Sequence, residues 1–371
     1  MTPSRAGKVR KACPAKQVGL RELAQYLKLS QATVSVVIND SPAAKAIPKQ
    51  TKERVLQAAR KLQYRANFFA RSLSLRRGCM VGVVVPELSE GYVASIMRGI
   101  ESQLLAEGYC YFVASHQGQP DRIQQYPRML IDRGVEGVIF VNTPVVQELT
   151  VPVVAISGHQ RVPGVTNIAV DNAQATFAAL EHLVRLGHRR IAFFKGHRGS
   201  LDTNHRWRGI LSAASRLGIE VCSELTAQLQ EEVPHPGPSV PGEGYGSAKK
   251  LLETGQFTAL FAFNDISAIG AIRALRDAGL RVPEEVSVIG FDDIQAAEYL
   301  TPRLTTVRQP LQQMGEIAAS QLLLRIANPR KKVPHRTLLA PQLMVRESTG
   351  PAPATPHLPW ISKQLSAASP P

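Results

Sequence analysis

The chain has 371 residues, of which 44% are hydrophobic, and a formal net charge of +15. That length exceeds one small module and predicts a small unit joined to a body of two lobes. The four cysteines have neither metal-ligand spacing nor a pairing pattern, which indicates a reducing compartment. The sequence has no signal-peptide run and no apolar stretch near the ~20 residues of a membrane span, so we expect a soluble, cytoplasmic protein.

The positive charge is concentrated at one end of the chain. Residues 1–77 contain 17 Lys and Arg against 3 Asp and Glu, whereas the other 294 residues contain 27 against 26. Basic side chains gathered on a small helical unit attract a polyanion by displacing its counterions, and duplex DNA is the natural polyanion. A solvated basic surface without a partner is the alternative, but it does not explain why the remainder is neutral.

The first predicted elements are a basic disordered arm, residues 1–17, and a pair of short helices. Beyond the arm, apolar residues recur at the i, i+3, i+4, i+7 spacing of a helix, at Leu20, Leu23, Ala24 and Leu27. Ser30 is a suitable N-cap for a second helix that ends at Asn39. The tight turn between the two is typical of a helix-turn-helix motif, although a helical hairpin inside a core has the same pattern.

The second helix is the candidate DNA-reading element. Val34, Val37 and Ile38 are predicted to face inward, which leaves the opposite face to lie in a major groove. The residues predicted to face outward are Gln31, Ala32, Thr33, Ser35, Val36 and Asn39. A third helix from Thr51 to Gln63 completes a predicted DNA-binding head of residues 18–66.

Residues 67–77 are too short and too basic to be stable as a free helix. We expect a hinge helix that orders only against DNA, with Asn67 as its N-cap and Arg71 supplying charge. Leu73 is a candidate wedge between base steps of the minor groove, where it would kink the duplex. A plain basic linker is the alternative.

From 78 to 347, apolar strands alternate with amphipathic helices, which predicts parallel sheets wrapped by helices in two lobes. A Pro/Gly-rich segment from Val233 to Gly244 predicts a loop, and the last strand is predicted near Thr337 to Val345. The tail, residues 348–371, contains six prolines and predicts disorder.

Polar residues at the ends of strands are the candidates for a ligand site in the body. Arg206 follows a strand end, which is where ligands bind in open α/β lobes. After a later strand, Asp265 is predicted to cap a helix and Asn264 to contact the ligand. At the end of the next strand, Asp292 is the predicted ligand contact and Asp293 the predicted cap.

Seven motifs follow one another between about Val18 and Glu347. They are SQATVSVVIN at 30–39, TKERVLQAARKLQY at 51–64, ARSL at 70–73, LGHRRIAF at 186–193, FND at 263–265, VPEEVSVIGFDD at 282–293 and LTTVRQP at 304–310. Their order and spacing resemble the LacI/GalR family of bacterial transcriptional regulators. The resemblance implies an N-terminal all-α helix-turn-helix domain of the lambda-repressor type. It also implies an α/β body like a periplasmic sugar-binding protein, with two lobes joined by three crossovers.

The resemblance also implies a homodimer that binds a pseudo-palindromic operator in double-stranded DNA, with a small, carbohydrate-like effector in the cleft; no cofactor or metal is expected. Gln31, Ala32 and Val36 fall at base-reading positions, and Leu73 falls on the intercalating hinge leucine. The phosphate-contact positions are Ser30, Thr33, Ser35, Asn39 and Thr51. The effector positions are Tyr92, Arg206, Asn264 and Asp292.

Four residues depart from the family's pattern. Val36 stands where Arg or His is usual, and valine can only touch a thymine methyl or pack against the protein. Lys28 replaces the turn glycine, Gly19 replaces a Ser or Thr cap, and Ala66 replaces the proline that precedes the hinge.

The sequence therefore predicts a ligand-controlled transcription factor, a repressor of carbohydrate-use genes that acts on the bacterial nucleoid. It contains no G-x-S-x-G elbow, H-E-x-x-H pair or P-loop, which argues against an enzyme. One alternative is a constitutive, architectural DNA-binding protein without effector control. A second alternative, for the body alone, is a sugar-binding transport protein. Such a protein would need an export signal, and this interpretation leaves the basic head unexplained.

Overall fold

The computed structural model describes residues 18–39, 41–64, 78–88, 91–159, 161–198, 200–229, 241–331 and 334–354. The chain divides into two compact units, Met1–Gly78 (the head) and Cys79–Pro371 (the body). The predicted arm, the hinge with Asn67, Arg71 and Leu73, and residues 355–371 lie outside the described residues. Within the part that is described, no helix is both long and apolar enough to cross a membrane.

The head contains three helices, α1 (Leu20–Leu27), α2 (Gln31–Ile38) and α3 (Lys49–Lys61), with a 3-10 turn over Pro42–Ala46. Its core is apolar and is built by Leu23, Ala24, Leu27, Val34, Val37, Val55 and Ala58. Leu23, Ala24, Leu27, Val34 and Val37 are positions that the helical spacing predicts to face inward, so the predicted helix-turn-helix is confirmed. The third helix begins two residues earlier than expected, since Pro48 forms its N-cap.

The turn between α1 and α2 passes through Lys28, which has a φ of 52° and a ψ of 41°. This left-handed conformation costs a residue with a Cβ roughly 1 kcal/mol that glycine would not lose. At the other end of α1, Gly19 has no side chain to cap the helix, and its N–H donates instead to Glu22 Oε2 at 2.8 Å. Lys28 therefore costs free energy at the turn, whereas the Glu22 carboxylate compensates for the cap that Gly19 lacks.

The first lobe of the body is a six-stranded parallel sheet in the order β11-β5-β4-β3-β1-β2. Its strands are β1 (Met80–Val85), β2 (Cys110–Ser115), β3 (Gly137–Val141), β4 (Val153–Ile156), β5 (Val165–Val170) and β11 (Arg336–Leu339). Its helices are α4 (Gly91–Ala106), α5 (Pro120–Asp132) and α11 (Leu311–Ala327). Helices cover both faces, so its central strands are continuous apolar runs.

The second lobe is also a six-stranded sheet, in the order β12-β10-β9-β8-β6-β7, and only β12 runs antiparallel to its neighbour. Its strands are β6 (Ile191–Lys195), β7 (Thr226–Gln228), β8 (Ala259–Phe261), β9 (Ser287–Asp292), β10 (Thr305–Arg308) and β12 (Gln342–Met344). Its helices are α6 (Asn172–Arg185), α7 (Leu201–Leu217), α8 (Pro241–Thr254), α9 (Asp265–Asp277) and α10 (Ala296–Tyr299).

The chain passes between the lobes three times, as the resemblance implies: after β5, between β10 and α11, and between β11 and β12. The single last strand predicted near Thr337 to Val345 is wrong. The segment forms two strands in different sheets, because Pro341 lacks the N–H that a continuous strand would need.

Two predicted irregular segments are partly wrong. Pro241 to Gly244 begins helix α8, since proline suits a first helical turn, and Gly244 allows the backbone of Ser267 in α9 to approach closely. In the tail, residues 348–354 pack on the second lobe. Ser348 is fully buried and donates to Val288 O at 2.6 Å, and the Gly350 N–H donates to Ser287 Oγ at 3.0 Å.

Candidate DNA-reading helix and interlobe cleft

Helix α2 presents the face that the sequence predicts. Val34 and Val37 are buried, whereas Gln31 and Ala32 are exposed and Val36 is half-buried. Ser30 caps the helix as expected: its Oγ accepts the Thr33 N–H at 3.0 Å and lies 2.8 Å from Thr33 Oγ1. Thr33, Ser35 and Asn39 are half-buried. The division into inward and outward faces is therefore confirmed.

The outward side chains of α2 fall into two sets. Ser30 bonds to Thr33, and Asn39 Nδ2 donates to Ser35 Oγ at 3.2 Å, so these four are held by one another. Within the described head, the side chains of Gln31, Ala32 and Val36 make no hydrogen bond. The second set matches the three positions implied to read bases.

Cationic residues flank α2 rather than belong to it. Lys28 is exposed at the end of α1, and Lys49 and Lys52 lie with Thr51 in the first turn of α3. Helix α2 itself, QATVSVVI, carries no charged residue. The lysines and the uncharged outward face of α2 therefore belong to different parts of the head.

The four predicted effector residues are buried at the carboxyl ends of strands or at the helices that follow them. Tyr92 is the second residue of α4 in the first lobe, and Arg206 lies on α7 in the second lobe. Asn264 and Asp292 end or follow β8 and β9. All four are at most 7% exposed. Tyr92 Oη lies 3.0 Å from Ser157 Oγ.

Charges from the second lobe surround the Tyr92 phenol. Burial raises its pKa well above the usual value, and the carboxylates of Asp202 and Asp292 raise it further, whereas the Arg206 guanidinium opposes them. All three charges influence one hydroxyl, so Tyr92, Arg206 and Asp292 lie within electrostatic range of one another. Tyr92 stays protonated there and can donate a hydrogen bond.

Arg206 is held by aromatic rings. Its guanidinium carbon lies 3.6 Å from the centroid of Phe291 and 4.4 Å from that of Phe263, and Nη1 donates to the Phe263 carbonyl oxygen. Its buried Nε has no partner among the described residues. A fixed cation with an unused donor suits a ligand oxygen at this position.

A histidine–aspartate contact joins the two lobes beside this cluster. His159, which follows β4 in the first lobe, places Nε2 2.5 Å from Asp202 Oδ1 of α7, and both side chains are at most 5% exposed. Burial raises the pKa of Asp202, but the His159 hydrogen bond and the charges of His159 and Arg206 outweigh it, so the pKa is lowered. His205 stacks on His159 at 4.1 Å, and its own pKa falls to about 4, chiefly through burial.

The predicted roles of Asn264 and Asp265 are partly reversed. Asn264 Oδ1 accepts the Ser267 N–H at 2.9 Å, so Asn264 is the N-cap of α9. Asp265 is fully buried and accepts from Thr306 Oγ1 at 2.5 Å and from the Ile294 N–H at 2.8 Å. Burial, with the neighbouring Asp292 charge, raises the pKa of Asp265 well above its usual value. The hydrogen bonds of Asp265 are made to residues in the protein interior, so Asp265 does not cap the helix.

The two aspartates at the end of β9 attach the strand to the crossovers. Asp292 has a φ of 115°, and its Oδ1 accepts from Gln309 Nε2 at 2.6 Å. Asp293 pairs with Arg308 Nε at 2.6 Å and with Arg346 Nη2 at 2.7 Å. The cap predicted for Asp293 is therefore wrong: ion pairs occupy it, and the N-cap of α10 is Gln295.

A cavity of 580 Å³ adjoins this strand end. Residues of both lobes line it, including Ser95 and Arg98 on α4, Glu298 on α10, and Gln309 on the crossover. Of the four predicted effector residues it reaches only Asp292, so it adjoins the Tyr92–Arg206 cluster rather than containing it.

The sequence missed Ser157, His159 and Asp202. Asp202 lies four residues before Arg206 on the same helix, and this i, i+4 spacing could have indicated it. The other two offered no such signal, because they reach the cluster from the other lobe.

Comparisons with known proteins match both units. Residues 19–67 match the family model for bacterial regulatory proteins of the lacI family, and residues 180–349 match that for periplasmic binding protein-like domains. The transcriptional repressor PurR of Mannheimia succiniciproducens is 30% identical over 339 residues, 89% of this chain and 98% of its own length. The lac repressor dimer bound to operator and the anti-inducer ONPF superimposes with a TM-score of 0.78 at 25% identity, covering 90% of this chain and 100% of that one.

A complex of the regulator CelR with cellobiose also matches, with a TM-score of 0.65, 29% identity and coverage of 90% of this chain and 100% of that one. A basic helix-turn-helix head and a two-lobed α/β body thus define a DNA-binding transcriptional regulator with a ligand-binding type of body. The chain belongs to the LacI family of bacterial regulatory proteins.

Proposed function

We propose that this regulator is a homodimeric repressor whose paired heads bind a pseudo-palindromic operator, and whose operator affinity is set by a small carbohydrate-like effector in the interlobe cleft. The observation that carries the proposal is the buried cluster of Tyr92, Asp202, Arg206 and Asp292, which both lobes build in a chain that also has a cationic reading head. Similarity to PurR and to the lac repressor dimer on its operator supports the repressor role.

In the head, Gln31, Ala32 and Val36 contact base edges. The residues assigned to phosphates are Ser30, Thr33, Ser35, Asn39 and Thr51. Asn67, Arg71 and Leu73 keep the hinge roles that the resemblance implies, with Leu73 entering the minor groove. The cations beside α2 supply affinity that does not depend on base sequence.

In the cleft, the donor and acceptor set fits a polyhydroxylated, uncharged ligand. Asp292 and Asp202 accept hydrogen bonds from hydroxyls, whereas Tyr92 and Arg206 donate to ligand oxygens. Asn264 lines the same end of the second lobe while it caps α9. A ligand phosphate would have to approach two carboxylates with one arginine to offset them, so we expect neutral sugars to bind better than sugar phosphates.

Effector binding is coupled to the lobes through the crossovers. Asp292 is bonded to Gln309, and Asp293 is bonded to Arg308, so a ligand that contacts Asp292 acts on the segment between β10 and α11. A ligand that prefers one arrangement of the lobes shifts the population toward it and changes operator affinity.

The test is a titration of the full chain, bound to its selected operator, with cellobiose, ribose and glucose 6-phosphate, followed by fluorescence anisotropy. We expect a neutral sugar to change operator affinity, and Arg206→Ala to abolish that change while operator binding persists. Arg185→Ala, which removes an exposed arginine paired within α6, is the matched control and should respond like wild type. A response that survives in Arg206→Ala would place the effector elsewhere.

A constitutive DNA-binding protein is the second candidate, since Asn264 and Asp292 are already engaged within the protein. Operator affinity that no sugar changes would favour it over the repressor. We propose no catalytic activity, because the matched relatives are regulators, and we place the protein on the nucleoid in the cytoplasm.

A further inference from the structure

The reading face of α2 has a composition that limits which bases it can recognise. Arg and Lys, which make the commonest specific contacts to guanine, are both absent from QATVSVVI. Nor does the helix contain His, Asp or Glu. Any base contact from α2 must therefore come from an amide, a hydroxyl or an apolar group.

Hydrogen bonds among the outward side chains of α2 reduce the number of polar groups that are available to contact bases. The hydroxyls of Ser30 and Thr33 bond to each other, and the Ser35 hydroxyl accepts from Asn39. In the described head, Gln31 is exposed and its amide makes no hydrogen bond, so both its donor and its acceptor are available.

The remaining outward groups are apolar. Ala32 and Val36 have the i, i+4 spacing that places two residues on one face of a helix, and Gln31 lies next to Ala32. A glutamine amide pairs in two places with adenine N6 and N7, and small apolar side chains contact the C5-methyl group of thymine. An amide beside an apolar stripe matches the major-groove edge of A·T pairs.

We infer, on the basis of the proposed role of α2, that each operator half-site presents A·T base pairs to this helix, with adenine at Gln31 and thymine methyls at Ala32 and Val36. The outward face of α2 thus lies against a stretch of major groove rich in thymine methyl groups, rather than against guanine. The cations of Lys28, Lys49 and Lys52 bind the backbone on either side, so the helix needs no charge of its own.

The experiment is selection of binding sites from random duplex DNA by the full-length chain at fixed salt, followed by single replacement of each selected thymine with uracil. Uracil pairs as thymine does but lacks the methyl group. We expect A·T pairs under α2, and about fourfold weaker binding for each uracil placed there, the effect of one buried methyl. Uracil elsewhere in the site should leave the affinity unchanged.

Two variants assign the contacts. Val36→Ala should lose sensitivity to one uracil position and keep it at the position assigned to Ala32. Gln31→Ala should lose about tenfold preference for adenine at its position, with wild-type sensitivity to uracil retained. Placing 5-methylcytosine in a G·C pair at the Val36 position restores the methyl and should recover part of the lost affinity.

Selection of guanine under α2, with binding blocked by methylation of its N7, would overturn the inference while leaving a sequence-specific regulator. A flat uracil scan would also overturn it, and would show that Val36 packs within the head. A chain that selects no sequence would overturn the regulator itself together with this inference.

Discussion

The head and the body use charge in opposite ways. In the head, helix α2 is uncharged, and of the lysines beside it Lys28 and Lys49 are exposed and Lys52 is half-buried. In the body, Arg206, Asp202 and Asp292 are buried within the candidate site itself, and each is held by rings, hydrogen bonds or ion pairs. A surface that searches a polyanion benefits from exposed, sequence-independent charge, whereas a site for one small molecule benefits from charges fixed in place.

The largest effect should come from salt. If the head and its partner copy neutralise six to ten phosphates, raising salt from 50 to 200 mM should weaken operator binding about 10³- to 10⁵-fold. Sugar binding in the buried cleft should change little over the same range. Anisotropy and calorimetry measure the two, and equal salt dependence of both would contradict the contrast.

The second-largest effect should come from removing a buried charge. Asp202→Ala leaves Arg206 buried without its neighbouring carboxylate and His159 without its acceptor, and should destabilise the body by about 3–5 kcal/mol. Asp277→Ala is the matched control: it breaks exposed bonds to Arg273 and Tyr245 and should leave the stability almost unchanged, because solvent screens an exposed pair. Urea unfolding measures both, and similar losses would show that the cleft charges are not structural.

Lowering the pH should destabilise the body more than the head. Burial lowers the pKa of His116 to about 4, and its Nδ1 accepts the Gly118 N–H at 2.9 Å, so the folded body holds this ring neutral. Because the folded-state pKa lies below the unfolded value near 6.5, its stabilisation is complete above pH 6.5 and falls as the pH drops toward 4, by about 3 kcal/mol.

The measurement is thermal unfolding at several pH values, with the head and body transitions resolved. The head, whose described core is apolar, should change little over this window. In His116→Gln the pH dependence of the body's stability should become shallower, and His205, whose pKa also falls to about 4, should account for part of what remains. An unchanged slope would assign the whole effect to other groups.

The smallest effect should come from the turn of the head. Lys28→Gly relieves the positive φ and should stabilise the head by up to about 0.5 kcal/mol after the entropy of glycine is subtracted. Lys28→Ala removes the charge but keeps the Cβ and should show no such gain. Equal stability of the two variants would mean that the turn is not strained.

The head was largely predictable because its signals are local. The spacing of Leu23, Val34 and Val37 depends only on helical geometry, and Ser30 caps its own helix. The resemblance already implied the base-reading positions, and the structure added only the bonds of Thr33 and Asn39, which separate engaged side chains from available ones.

The cleft was only partly predictable. Arg206 and Asp292 could be placed because parallel strands collect their carboxyl ends at one edge. Asn264 and Asp265 have similar capping preferences, and the choice between them was made by Thr306, which is 41 residues away in sequence. His159 could not be anticipated, because its contact with Asp202 joins the two lobes.

The tail shows the limit of composition. Prolines predicted disorder from residue 348, but prolines also favour extended chain, and the groups between them found partners on the second lobe. Composition alone contains no information about those partners.

The most direct test is reciprocity between the two sites. Calorimetry would measure the affinity of the effector sugar for the free full-length chain and for the same chain saturated with its operator. We expect the two affinities to differ by the same factor, about 5- to 150-fold, by which the sugar changes operator affinity. Identical sugar affinities in the two states would contradict the proposed coupling between the cleft and the operator.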